Sequence, residues 1–331
     1  MTNDGSQKPA WAYSDYVLIT RLAKSDRGRL FFLENLEHNY PALGFFQAGD
    51  RLIISIGFYF DKWNFEYAKK CFTHQNPQFN LKEIYWLGNS ASQVETARDV
   101  GFSAIQCNQN SFIDENIFKI LNEEKIYRMV MNARPELMKR PWLAKNVEGL
   151  AIIQGKNYSE KNFWDLKQLN PQYINEDRIP REQVTQILNQ SYVGGIFSEK
   201  EGACFASSEY LLCGLPVVST ESVGGRDFWY NDRNCIIAEA NEDAVADAVN
   251  TLVAKVQSKA IDPLEIRQEH MILALLQRDA LVSLLNEIST SMQLEKSGSF
   301  LLYKIIREWA TIYSLADMPQ KLFWENASSP M

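Results

Sequence analysis

Two carboxylates, Glu201 and Glu209, stand with seven residues between them in the stretch GGIFSEKEGACFASSEYLLCGLPVVST, residues 194–220. The pattern predicts a buried strand over 195–198, a polar turn over 199–202 and a helix over 203–213. Gly214 stops that helix, and a β-branched strand follows over 216–220, giving one βαβ unit. Gly202 lets a ligand come close to the backbone. The amides of Ala203 and Cys204 are expected to face it as free donors of the first helical turn, which makes the helix start an anion site. Glu209 lies two turns along, its side chain leaning back toward the helix start. Carboxylates accept hydrogen bonds from hydroxyls, and paired hydroxyls suit them best. A phosphate at the helix start with a carboxylate toward each of two diols is the chemistry of a nucleotide sugar. The plain alternative is that both glutamates are solvated helix residues.

These residues need a sheet to hold them. Strands are predicted over 16–20, 51–57, 83–87 and 103–107, with helices over 30–37, 65–74 and 91–100 between them. A second series of strands runs 127–132, 150–153, 173–174, 195–198, 216–220 and 235–238. Helices are expected over 181–190, 203–213 and 243–256, the last with Asn241 as N-cap and acidic residues in its first turn. After Pro263 the pattern predicts two or three long helices and no strands. Alternating strands and helices predict an α/β fold of two Rossmann-like domains, with ligand in the cleft between them at the carboxyl ends of the strands. The domains are expected over 1–123, 124–290 and, for helices packing back on the first domain, 291–331.

Composition excludes several classes. The 331 residues carry 34 basic and 41 acidic side chains, a net charge of -7, which argues against a general nucleic-acid binder. Five cysteines, an odd number without a CxxC, indicate neither a disulfide framework nor a zinc ribbon and fit a reducing, cytoplasmic compartment. The three histidines, His38, His74 and His270, show no metal-ligand spacing, so no metal or cofactor is expected. The start, MTNDGSQKPAWAYSD, lacks the basic and apolar regions of a signal peptide. No apolar run reaches 18 residues, and 300–315, which carries Lys304, Arg307 and Glu308, reads as an amphipathic docked helix with peripheral membrane contact as its alternative.

The 194–220 stretch resembles the E-x7-E element of retaining GT-B glycosyltransferases, especially the GT4 family. That pattern runs approximately E-G-F-G-x-x-x-x-E-A-x-A-C-G-x-P-V-V-A-T. Glu201-Gly202, Glu209, Cys213-Gly214, Pro216-Val217-Val218 and Thr220 are in step with it. Val223-Gly224-Gly225, Asp232-Arg233-Asn234 and Ile236-Ile237 are similar to its continuation. Upstream, Met131-Asn132-Ala133-Arg134 with Lys139 five residues on resembles the family's G-R-L-x-x-x-K-G. The resemblance covers roughly 124–250 and departs from the pattern at Ala203-Cys204, Asn132 and 225–229.

It implies retaining, metal-independent transfer from a nucleoside-diphosphate sugar to a glycan, lipid-linked or small-molecule acceptor in a bacterial pathway. Arg134 and Lys139 would hold the diphosphate, Glu201 the donor sugar and Glu209 the ribose. Gly202, Ala203, Cys204, Asn132, Ile179 and Ser198 complete the implied donor set. On the acceptor side the candidates are Arg27, Gly28 and Arg29, in the loop 24–29 after the first strand, which has only one glycine. A sugar-nucleotide epimerase, or a catalytically silent partner subunit of the same fold, remains as an alternative, and Arg134 and Lys139 could instead pair with Glu136.

Overall fold

The structure, a computed structural model, describes residues 16–155, 162–308, 311–314 and 318–323. The N-terminal fifteen residues, Leu315 and the polar tail 326–331 therefore lie outside the described residues. Compactness divides the chain into two units, residues 1–109 with 277–331 and residues 110–276. The divisions fall before the expected 123 and 290. Residues 110–123 attach to the second unit, where Phe118 is buried in the core and Leu121 N donates to Asn189 Oδ1 at 2.7 Å.

The first unit opens with a hairpin. Strand β1 (Tyr16–Ser25) turns through Asp26-Arg27 into antiparallel β2 (Gly28–Glu34). Residues 30–37, expected as a helix, are thus mostly strand, followed by the single turn α1 (Leu36–Asn39). Leu30, Phe31, Phe32 and Leu33 are all fully buried. A run of four apolar residues carries no period, and a strand buried on both faces accepts it as readily as a helix does. Strands β3 (Arg51–Ser55), β4 (Ile84–Gly88) and β5 (Ser103–Gln106) continue parallel to β2, in chain order. The intervening helices are α2 (Lys62–Gln75), which starts in a capping box on Asp61, and α3 (Ala91–Val100), capped by Ser90 and stopped by left-handed Gly101.

The second unit is a six-stranded, wholly parallel sheet of β6 (Tyr127–Ala133), β7 (Leu150–Gln154), β8 (Tyr173–Ile174), β9 (Ser191–Ile196), β11 (Val217–Thr220) and β13 (Cys235–Ala238). Two short strands, β10 (Lys200–Glu201) and β12 (Val223–Gly224), form a separate parallel ribbon. The main order is β13-β11-β9-β6-β7-β8, so the chain reverses its winding between β6 and β9. That reversal is the switch point at which open α/β sheets bind ligands. Alternate residues of β6 serve the two faces, Met129 and Met131 in one core and Val130 in the other.

Helices α4 (Arg181–Asn189), α5 (Phe205–Leu212) and α6 (Glu242–Gln257) cover the sheet, and Asn241 caps α6 through Ala244 N. Helix α7 (Pro263–Met292) gives its first half to the second unit and its second half to the first, and α8 (Gly298–Glu308) follows. A late strand, β14 (Ile312–Ser314), which the sequence pattern did not predict, pairs antiparallel with β1. Three residues are too short to show a period, and pairing along the free edge of β1 is what makes them a strand. No helix among the described residues is long and apolar enough to cross a membrane.

Gly194 in β9 leaves room for the ring of Tyr210 in α5, since a Cβ there would lie 2.2 Å from Tyr210 Cδ2. Tyr210 Oη in turn accepts from Asn132 N at the end of β6, at 2.6 Å. The Gly194→Ala variant is expected to be destabilised by about 1–3 kcal/mol through overpacking, read as a lower urea midpoint.

Candidate active site

The residues of interest gather at the carboxyl ends of β6, β9 and β11, on both sides of the switch point. Two arginines fix those ends. Arg226 is fully buried, and its guanidinium donates to Ser198 O at 2.7 Å, to Thr220 O and to Asp227 Oδ1 at 2.7 Å. Arg140 donates from the same region to Phe197 O at 2.5 Å and Thr220 Oγ1 at 2.8 Å. The segment after β9 is pinned further by the β10–β12 ribbon and by Gly225 N, which donates to Gly202 O at 2.9 Å. Asn110 Nδ2 donates to Ala203 O and Cys204 O at 2.9 and 3.0 Å.

The chain enters α5 through a left-handed residue. Cys204 has φ 58 and ψ 81, whereas Gly202 has no positive φ. The helix consequently starts at Phe205, two residues later than expected, and Ala203 and Cys204 precede it rather than forming its first turn. Cys204 supplies no side-chain cap, and although Ser207 N donates to Cys204 O at 3.0 Å, the amides of Phe205 and Ala206 ahead of it are left for another acceptor. Burial pushes the Cys204 thiol up to about 12, with Glu201 adding to the shift, so it stays protonated near neutral pH.

The expected ligand-binding side chains are brought together and engage one another. Lys139 Nζ donates to Glu201 Oε1, and both side chains are largely buried. Asn132 Nδ2 donates to Glu209 Oε2 at 2.7 Å. Arg134 pairs with Glu136 at 3.1 Å, as the plain reading of that cation held, while its side chain stays 38% exposed. Lys139 does not join that pair. Ser198 Oγ is buried without a hydrogen-bond partner. Asn132, Lys139, Ser198, Glu201 and Cys204 line a cavity of about 20 Å³, room for little more than one water. Ile179, the remaining donor-side candidate, packs half-buried against the core of this unit.

Burial raises the Glu209 carboxyl to about 7, against the hydrogen bond from Asn132 and the charge of Arg181, which lower it. Arg140, Arg226 and Asn110 were not among the residues singled out from the sequence. They act on main-chain carbonyls, and no motif marks a side chain whose partners are backbone.

The three acceptor-side candidates lie elsewhere. Arg27, Gly28 and Arg29 form the β1–β2 hairpin, at the amino end of β2 and so at the opposite edge of the sheet from its carboxyl ends. The carboxyl edge carries Glu34, Asn35, Gly57, Phe58, Asn89 and Gln109 instead. There Gly57 N donates to Asn35 Oδ1 at 2.6 Å and Gln109 N to Asn89 Oδ1 at 2.9 Å. Phe58 and Trp63, just beyond β3, are 51% and 58% exposed. His38 stacks on Tyr16, and His270 is buried against Trp229.

Residues 119–255, which include every residue of the second unit's site from Asn132 to Arg226 but not Asn110, match the family described as Glycosyl transferases group 1. No curated protein sequence is similar enough to match. Among solved structures, HepE of Anabaena in complex with UDP-glucose superimposes with a TM-score of 0.51 at 14% identity, over 74% of this chain and 72% of that one. HepE in complex with UDP gives 0.53 at 13% identity, over 84% and 78%. TarM gives 0.53 at 14% identity over 78% of this chain and 54% of its own, so the chain spans about half the length of TarM. At these identities the likeness is one of fold, and that fold is GT-B, two Rossmann-like bodies. The matched segment and the fold together support a glycosyltransferase.

Two outcomes follow from this geometry. Glu209 holds its proton in the native state to about pH 7 but, at its usual value of 4.5, loses it earlier when unfolded, so native stability falls as pH rises from 4.5 to 7. Urea midpoints at pH 5 and pH 7.5 are expected to differ less in Glu209→Gln than in the parent chain. At Cys204, a β-branched side chain suits the left-handed conformation poorly, so Cys204→Val is expected to cost about 1–2 kcal/mol while Cys204→Gly costs nothing or stabilises slightly. The same midpoints report it.

Proposed function

We propose that this chain transfers a sugar, with retention at the anomeric carbon and without a metal ion, from a nucleoside-diphosphate sugar to an acceptor. The observation that carries the reading is the convergence of Lys139, Glu201 and the uncapped start of α5 at the switch point of the second unit. A diphosphate there meets a mobile ammonium, the exposed Arg134 guanidinium and free helix amides. Binding exchanges partners. Lys139 leaves Glu201 for a phosphate oxygen, and Glu201 becomes free to accept from the hydroxyls of the donor sugar. Glu209, ionised, accepts from the ribose diol beside Asn132. The small cavity must widen for this, and turning Lys139 away from Glu201 is the movement that opens it.

In the chemical step the bond from the anomeric carbon to the diphosphate oxygen breaks, and negative charge grows on the leaving group. Arg134, Lys139 and the helix amides stabilise that charge more than they stabilise the intact donor, which is how they speed the reaction. Retention is assigned to front-face attack, the departing phosphate taking the acceptor's proton. The acceptor is assigned to the carboxyl edge of the first unit's sheet. The exposed Phe58 and Trp63 offer apolar faces there, and Glu34 an acceptor for hydroxyls.

Removing one such charge-assisted contact raises the barrier by about 2.7–4 kcal/mol. Arg134→Ala and Glu201→Ala are each expected to lower turnover at least about a hundredfold in a chain that still folds, with a lower urea midpoint because Glu136 or Lys139 loses its partner. Near-normal turnover in both would remove these residues from the reaction.

A further inference from the structure

The start of α5 is held by a side chain from outside the family segment. Residues 119–255 match the family, and Asn110 precedes them, in a short turn over Gln109–Phe112. Asn110 is buried, at 1% exposure. An asparagine amide has two N–H donors. Here Nδ2 meets two successive carbonyl oxygens, Ala203 O at 2.9 Å and Cys204 O at 3.0 Å. No other side chain among the described residues bonds to either oxygen.

Those two bonds fix two donors. In a trans peptide unit the C=O and the following N–H point in opposite directions. The Ala203 oxygen is thus tied to the Cys204 N–H, and the Cys204 oxygen to the Phe205 N–H. Both oxygens turn toward Asn110, so both N–H groups turn away from it. Neither N–H has an acceptor among the described residues. Cys204 is left-handed, with φ 58, and Phe205 is helical. Successive amides that face one way across such a turn make a concave pair of donors suited to an anion. Cys204 also lines the same small cavity as Lys139 and Glu201.

The turn needs support. A residue with a Cβ takes the left-handed conformation at a cost that glycine avoids. The cheaper course for the chain is to wind α5 one residue further back, with Cys204 right-handed and its neighbouring carbonyls swung along the helix axis. The two bonds from Asn110 oppose that change.

We propose that Asn110 is a positioning residue for donor binding. By holding the Ala203 and Cys204 carbonyls it keeps Cys204 left-handed and aims the Cys204 and Phe205 amides at the diphosphate, while touching neither the donor nor the reacting atoms itself. This role rests on the nucleotide-sugar reading.

The test is a double-mutant cycle on the full chain: the parent, Asn110→Ala, Cys204→Gly and Asn110→Ala/Cys204→Gly. Binding of UDP, GDP and ADP is measured by calorimetry, and urea midpoints check that each chain is folded. The diphosphate that binds the parent best is expected to bind Asn110→Ala at least about tenfold more weakly. Glycine takes the left-handed turn without the Cβ penalty, so Asn110→Ala is expected to cost no more than about threefold in the Cys204→Gly background. A loss of packing alone would weaken binding by the same factor in both backgrounds. If the alanine chain does not fold, Asn110→Ser takes its place in the cycle, since its one O–H can meet only one of the two carbonyls. Equal factors in the two backgrounds, or no loss in the parent background, would remove Asn110 from this role and leave the donor reading intact. If none of the three diphosphates binds the parent chain, the donor reading itself fails and Asn110 has no such role.

Discussion

A buried guanidinium holds the working edge of the second unit together. Arg226 is charged, fully enclosed and bonded to the main-chain oxygens of Ser198 and Thr220 and to the carboxylate of Asp227. A charge taken out of water is tolerable only when its donors are met, and removing those partners would leave it stranded. The carbonyls at the ends of β9 and β11 are therefore committed to it. From the side of β6, Arg140 performs the same service for Phe197 O and Thr220 Oγ1. The segment from Glu201 to the start of α5, which carries the proposed donor site, leaves the sheet from strand ends fixed in this way. Rigid support of this kind is what a site needs if its polar groups are to meet developing charge without reorganising.

The side chains proposed to bind the donor are engaged with one another. Lys139 with Glu201, Asn132 with Glu209 and Arg134 with Glu136 form three pairs, each of which puts a donor against an acceptor that a nucleotide sugar would also use. Such an arrangement avoids an unmatched buried charge. It also makes binding an exchange of partners, so that the net gain is the difference between two sets of hydrogen bonds. The raised value of Glu209 belongs to the same balance, since its carboxyl is desolvated with one amide for company.

The second unit was readable from sequence because its signals are local. The β6–β13 series alternates with helices, and the 194–220 stretch carries its glycines, glutamates and β-branched strand in fixed order. The first unit was less so. Leu30–Leu33 has no period, and the hairpin depends on a glycine meeting Gly49 across the sheet, a contact with no trace in the local pattern. That hairpin moves Arg27, Gly28 and Arg29 to the edge opposite the one where a strand-to-helix loop would have put them. The parallel strands β2 to β5 also follow one another without reversal, so no switch point marks a ligand position there. Sequence spacing singled out Lys139, Glu201 and Glu209, which lie close to the ends of β6 and β9, but could not assign the left-handed turn. Glycine is the usual occupant of that conformation, and the turn falls on Cys204 instead of on Gly202.

The most direct measurement is a thermal-shift screen of the intact chain against UDP-, GDP- and ADP-sugars. A ligand at a hundred times its dissociation constant stabilises the native state by about 2.7 kcal/mol, a shift well above error. At least one nucleotide sugar is expected to raise the melting temperature, and to do so far less in the Lys139→Ala/Glu201→Ala variant. No shift with any of the three classes, or an equal shift in that variant, would contradict a nucleotide-sugar site at the switch point.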